Sequence, residues 1–310
     1  MSSVFADMAV MRISAILALH LKSRIWFNKN SFEFNAMTIT ASSLHSEKLS
    51  GSFVELPGVR LWFTDSGGSG VPLVLLHANT GTVASWVHQI APFTSAGYRV
   101  IAFDRRGWGH SHAQALTGVQ PGSVAEDLDA LVDYLKLPAF HLLGIAGGGF
   151  VALDYASWRP ERLLSLVVAA SNGQFVDPEM LDIYQRIAIP GLTGNPSLRE
   201  FLEVGVSYRS ENPSGFSLFA EMAHSARQTE AVAQPMRTSN TLQKISQIQT
   251  RTLILSGGAD LLAPPALMRF WSKNLPSASF SNIEDGGHSL NWERPNEFNK
   301  KVLQFLLASS

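Results

Sequence analysis

The chain of 310 residues has no cysteine. That absence removes disulfide frameworks, thiolate metal sites and cysteine nucleophiles from the functions open to it. Charge is scarce as well: 16% of the residues are charged, against about 25% in a typical globular chain. The formal net charge of −1 leaves no basic footprint of the kind a nucleic-acid binder carries. Long apolar runs are missing too. The most apolar stretch of the first fifty residues, 8–21, is interrupted by Arg12 and His20 and falls short of the ~20 residues a spanning helix needs. As a signal peptide it lacks a basic segment ahead of Arg12 and a clear small-x-small cleavage site. Internal repeats and low-complexity tracts are absent.

What is present is an apolar content of 45%. That content excludes a disordered protein, and the length allows one large domain or two small ones with a sizeable core. Residues 1–50 read differently from the rest and are expected to form a poorly ordered extension outside the fold, with Met37 a second candidate initiator and a targeting role as the alternative. A cytoplasmic protein acting on a small molecule is expected, without nucleic acid or stable membrane insertion. Oligomeric state leaves no mark in the sequence.

From Ser52 the pattern becomes regular. Residues 52–56 and 59–65 flank Pro57-Gly58, a hairpin pattern. Short apolar runs rich in β-formers follow at 73–76, 98–103, 141–145, 164–169, 252–255 and 279–283. Runs apolar at nearly every position suit strands covered on both faces, as in a parallel sheet. Helical periodicity fills the gaps. Ser123 and Glu126 form a capping box ahead of Val124, Leu128, Leu131, Val132 and Leu135, which share one helix face. Phe298, Val302, Phe305 and Leu306 mark another face after Pro295. Strands alternating with helices predict an α/β fold with a doubly wound, mostly parallel sheet. Between about 174 and 247 the rhythm breaks: no strand run occurs, and Phe175, Tyr184, Phe201, Tyr208, Phe216, Phe219 and Met222 sit in helical segments. A helical cap over a pocket at the carboxyl ends of the strands is expected there, with a core at 51–173 and 248–310. An insertion packing its own small core accounts for the same residues equally well.

The segment Leu142-Leu143-Gly144-Ile145-Ala146-Gly147-Gly148-Gly149 runs from a strand through a glycine cluster into a helix. A turn that sharp needs small residues, because side chains would collide. A dinucleotide-binding turn uses similar geometry. The glycine spacing here is not G-x-G-x-x-G, however, and no acidic residue ends a following strand about 20 residues on. The other use is the nucleophile elbow, G-x-S-x-G. Gly144-Ile145-Ala146-Gly147-Gly148 matches it except at the centre, where alanine replaces serine.

At this point the chain from Ser52 onward resembles the α/β-hydrolase superfamily. His77-Ala78-Asn79-Thr80-Gly81 looks like its His-Gly oxyanion loop, with alanine for the usual glycine. Asp104-Arg105-Arg106-Gly107-Trp108-Gly109-His110-Ser111 is similar to its D-x-R-G-x-G-x-S turn. Gly258-Ala259-Asp260-Leu261-Leu262-Ala263-Pro264 resembles the loop carrying the acid, and Gly287-His288 the loop carrying the base. Each motif is weak alone, but together they stand in the family's order. The resemblance implies a capped hydrolase of the G-x-A-x-G type, with some similarity to the aminoacrylate and carbamate hydrolases of pyrimidine breakdown. It implies His288 paired with Asp260, Ala146 at the nucleophile position, and an oxyanion hole from the amides of Asn79 and Gly147. Such donors are worth about 3–4 kcal/mol each. No metal and no cofactor is implied.

An aspartate on the imidazole fixes its tautomer and stabilises imidazolium as it forms. Glycines before His288 leave its ring room to swing over the sheet edge. His110 and His112 are fallback candidates, and Asp104 reads as a brace for its own turn. Candidate substrate contacts are His77, Thr80, Trp108, Phe150, Phe175, Tyr184 and Phe219, although Trp108 and Phe150 read as packing residues before substrate contacts. With no cluster of Arg or Lys in view, a neutral, fairly apolar ligand is expected. Alanine has no nucleophilic atom, so a covalent intermediate at 146 is excluded. The principal reading is a hydrolase of an ester, lactone, amide or carbamate in which His288 activates water directly. A serine hydrolase inactivated by substitution, a non-enzymatic ligand-binding protein of the same fold, and a lyase or C–C bond hydrolase using His288 as acid and base stand as alternatives.

Overall fold

The computed structural model describes residues 50–112, 122–229, 231 and 234–308. The expected N-terminal extension, with Met37 and the apolar stretch 8–21, lies outside the described residues apart from Ser50. In chain order the elements are β1 (Ser52–Leu56), β2 (Val59–Asp65), β3 (Val71–Leu76), α1 (Val87–Ser95), β4 (Tyr98–Phe103), α2 (Val124–Tyr134), β5 (Phe140–Ile145), α3 (Gly147–Trp158) and β6 (Leu163–Ala169). Helices α4 (Pro178–Ile187), α5 (Arg199–Glu203), α6 (Val206–Glu211), α7 (Pro213–Ala226) and α8 (Leu242–Ile245) then intervene before β7 (Thr252–Gly257), α9 (Pro265–Ser272), β8 (Ala278–Ile283), α10 (Leu290–Glu293) and α11 (Pro295–Leu307).

The eight strands form one sheet in the order β1-β2-β4-β3-β5-β6-β7-β8. β1 and β2 pair antiparallel and β2 joins β4 antiparallel, while every pairing from β4 across to β8 is parallel. Side chains alternate across a strand, so successive residues of β5 serve two cores. Leu142 packs on the face covered by α2, α3 and α9 with Leu128, Leu153 and Trp271, and Leu143 on the face of α1 and α11 with Phe93 and Phe298. Continuous apolar runs therefore mark these strands, as the parallel-sheet reading requires. The Ser123–Glu126 capping box forms at the start of α2.

The ends of the parallel strands carry the family's motifs to one edge. His77 follows β3, Asp104 follows β4, Ala146 follows β5, Asp260 follows β7 and His288 follows β8. Asp104 braces its turn: its carboxylate accepts from the amides of Val83 at 2.7 Å and His110 at 2.9 Å. Behind it Arg106 and Asp127 form an ion pair with side chains 2% and 3% exposed, and Gln234 donates to the same carboxylate at 2.7 Å. Replacing Asp127 by Asn strips a buried guanidinium of its counter-charge. It is expected to cost about 3–5 kcal/mol of stability. Urea unfolding reads this directly, and an unchanged midpoint would show that the pair does not hold the turn.

Candidate active site

Ala146 closes β5 and caps α3 with φ 49° and ψ −113°. A non-glycine residue there is strained, by roughly 1–2 kcal/mol, so the surroundings must over-determine it. They do. The Ala146 amide donates to the Ala169 carbonyl at 2.9 Å, and its carbonyl accepts from the Ser171 hydroxyl at 2.8 Å. A side chain at Gly148 would strike the Leu76 carbonyl of β3, and one at Gly147 would strike the Asn79 side chain. Gly147 opens the helix, where the first amides have no intrahelical partner. The Asn79 side chain, in the loop after β3, lies against this first turn.

His288 and Asp260 meet across the ends of β7 and β8. Nδ1 of the buried His288 lies 3.0 and 2.9 Å from the two Asp260 oxygens. Asp260 Oδ1 also accepts the amides of Leu262 and Ala263, both at 2.8 Å. A carboxylate held on three sides turns Nδ1–H towards itself, so that in a neutral ring the lone pair lies on Nε2. The histidine loop is tied by Glu293, which accepts from Gly287 at 2.9 Å, Ser289 at 3.0 Å and Gly205 of the insertion at 3.0 Å. Glu203, at the end of α5, is buried close by with Oε2 unpartnered. Burial raises its pKa, while the charge of His288 and the Thr80 hydroxyl pull it down. For His288 itself, burial alone would lower the pKa. The charge and hydrogen bond of Asp260, with Glu203 and Glu293, outweigh burial and push it up to about 9.

The expected substrate contacts divide. Trp108 and Phe150 line a cavity of about 290 Å³, together with Asn79, Arg105, Arg199 and Arg227. His77 is fully buried instead, with Nδ1 2.7 Å from the Ala78 carbonyl and Nε2 accepting from the Arg105 amide at 3.0 Å. Burial, then the Arg105 charge, keeps it well below the usual histidine pKa, so it is a neutral brace for the loop. Thr80 is buried against Glu203. Phe175 packs on Trp271 at 5.5 Å between centroids, and Phe219 on Trp292 at 5.9 Å. The Tyr184 hydroxyl accepts from the Phe175 amide at 3.0 Å and donates to the Asn172 carbonyl at 2.7 Å. These three aromatics pack the insertion on α9, α10 and the loop after β6 and do not line the cavity. Neither do His110, stacked on Trp62, and His112, stacked on Phe53. Nor do Ala146 and His288. Sequence reasoning missed Arg105, Arg199 and Arg227. The first was visible in the D-x-R-G turn as a second arginine, whereas the others stand apart in an irregular insertion.

Residues 71–295 match the alpha/beta hydrolase fold family, and the chain belongs to it. The 2-hydroxy-6-oxononadienedioate/2-hydroxy-6-oxononatrienedioate hydrolase of Burkholderia vietnamiensis is 26% identical over 297 residues, covering 86% of this chain and 99% of that protein. A protein of Agrobacterium fabrum named as the carbamate hydrolase RutD is 25% identical over 252 residues, covering 77% and 94%. Among solved structures, a thermophilic esterase from Thermogutta terrifontis superposes with a TM-score of 0.69 at 24% identity, covering 83% of this chain and 99% of that one. That last likeness carries the fold.

Removing the Glu293 carboxylate by Glu293→Ala leaves the buried amides of Gly205 and Gly287 without an acceptor, while that of Ser289 keeps the Glu203 carbonyl at 2.9 Å. At about 1–3 kcal/mol for a buried group so orphaned, stability is expected to fall by several kcal/mol. Gly205 and Gly287 should then gain amide hydrogen exchange ahead of the sheet. Retained protection at both glycines would count against the brace.

Proposed function

We propose that this chain is a hydrolase that attacks the carbonyl of a small ester, lactone, amide or carbamate with water activated by His288. The observation that carries the reading is the His288–Asp260 pair at 2.9 Å beside an elbow whose residue, Ala146, has no nucleophilic atom. Water takes the space above the Ala146 methyl group. His288 Nε2 accepts a proton from it, the oxygen bonds to the carbonyl carbon, and the carbonyl π pair moves to its oxygen. The amides of Asn79 and Gly147 hold that oxyanion. The tetrahedral species then collapses, and the leaving group departs with the proton from His288. General-base catalysis supplies ~10² to 10⁴-fold, and the oxyanion donors add to it. In this reading residues 174–247 act as the cap. Their contribution of Arg199 and Arg227 to the cavity that also holds Arg105 and Trp108 supports it. Similarity to a named carbamate hydrolase supports a carbonyl substrate.

A histidine pushed up to about 9 is mostly imidazolium at neutral pH, which favours a second reading: His288 as proton donor in lyase or C–C bond chemistry. The two differ in sign. A base must be deprotonated, so kcat/KM rises with pH towards about 9; an acid must be protonated, so it falls above that point. The rising limb is expected. Glu203→Gln removes one carboxylate that raises His288, so the limb should move to lower pH. A falling limb would overturn the base assignment.

On a panel of short esters, lactones and carbamates, His288→Ala should lower kcat/KM by about 10² to 10⁴-fold. A fluorophosphonate probe should label Ala146→Ser and leave the wild type unlabelled. A silent wild type with an active Ala146→Ser would mean a serine hydrolase inactivated by substitution.

A further inference from the structure

The cavity beside Asn79 gathers three arginines that form no ion pair among the described residues. Arg105 is its buried wall, 4% exposed. Its Nη2 donates to the Ala78 carbonyl at 3.2 Å and to Asn79 Oδ1 at 2.9 Å, while Nε has no acceptor. The guanidinium stacks on Trp108 at 4.5 Å, and Arg227 lies over the same ring at 5.3 Å. Arg199 and Arg227 are exposed at the rim. The carboxylate in the wall, Asp154, is already engaged by Lys244 at 2.6 Å, the Arg237 amide at 2.8 Å and the Thr238 hydroxyl at 3.0 Å. Burial, then repulsion from Arg227, brings the Arg105 guanidinium down to about 9.

A buried, uncompensated charge is costly, and an anion arriving at it removes that cost. The planar guanidinium matches a carboxylate in shape and hydrogen bonding. Trp108, Phe150, Val151 and Met236 add apolar wall suited to a short carbon chain. We propose that this cavity is a subsite for a carboxylate on the substrate, remote from the bond that is cleaved. Arg105 and Arg227 hold the acid group, and Arg199 draws it in from the rim. Asn79 joins the subsite to the elbow: its Oδ1 takes Arg105 Nη2 and lies against Gly147. An acid anchored at Arg105 thereby directs its carbonyl towards Ala146. The ligand is anionic at one end, contrary to the neutral one expected from the sequence. This deepens the hydrolase reading and rests on it for the direction of the carbonyl; binding of the anion requires no turnover.

The test is calorimetric binding of succinate to the full chain in low-chloride buffer, with succinamide and inorganic phosphate as comparisons. Saturable succinate binding is expected, at least about tenfold tighter than either comparison and weakened about tenfold by Arg227→Gln or Arg105→Lys. Arg227 is exposed, so Arg227→Gln carries the test if Arg105→Lys fails to fold. His288→Ala should bind succinate like the wild type, which separates failure of the subsite from failure of the hydrolase reading. No succinate binding, equal binding of succinamide, tighter binding of phosphate, or full affinity in the arginine variants would overturn the carboxylate subsite.

Discussion

The first turn of α3 passes so close to the end of β3 that a side chain at Gly148 would meet the Leu76 carbonyl, and one at Gly147 the Asn79 side chain. That approach pins the helix at its origin and forces the chain at Ala146 into a left-handed conformation. Bonds to Ala169 and Ser171 hold it there. The strain is local, but it sets the first turn of α3 against the loop that carries Asn79. A strained residue persists only where its surroundings leave no other choice, and here the backbones of three strands supply them.

The opposite wall is electrostatic. His288 is buried among Asp260, Glu203 and Glu293, so carboxylates on three elements set its protonation. Glu293 does two tasks at once, holding the histidine loop and tying it to Gly205 in the insertion. The insertion is therefore joined to the histidine loop by that carboxylate and by the Glu203 carbonyl, which accepts from the Ser289 amide at 2.9 Å. Arg105 has a comparable double position, because it steadies Asn79 while lining the cavity with no ion pair among the described residues.

Much of this arrangement could be read from the chain. The short apolar runs became strands with ends shifted by one or two residues, and the Ser123–Glu126 box capped its helix. Asp104 braces its turn as expected. The aromatic residues of the insertion were harder. Phe175, Tyr184 and Phe219 look alike in sequence whether they face a ligand or a core, since both environments reward the same apolar surface. In the fold they pack on Trp271, the loop at Asn172 and Trp292. His77 has a similar ambiguity, because a histidine beside a pocket loop can turn either to substrate or to backbone.

By itself the sequence determined the sheet, the order of the motif loops and the absence of a nucleophile at 146, because periodicity, glycine spacing and residue identity are local properties. Which carboxylates surround His288, and that Arg105, Arg199 and Arg227 share one cavity, were decided only by the tertiary structure. Those residues lie far apart along the chain and act through distance in space, on which electrostatic interactions depend.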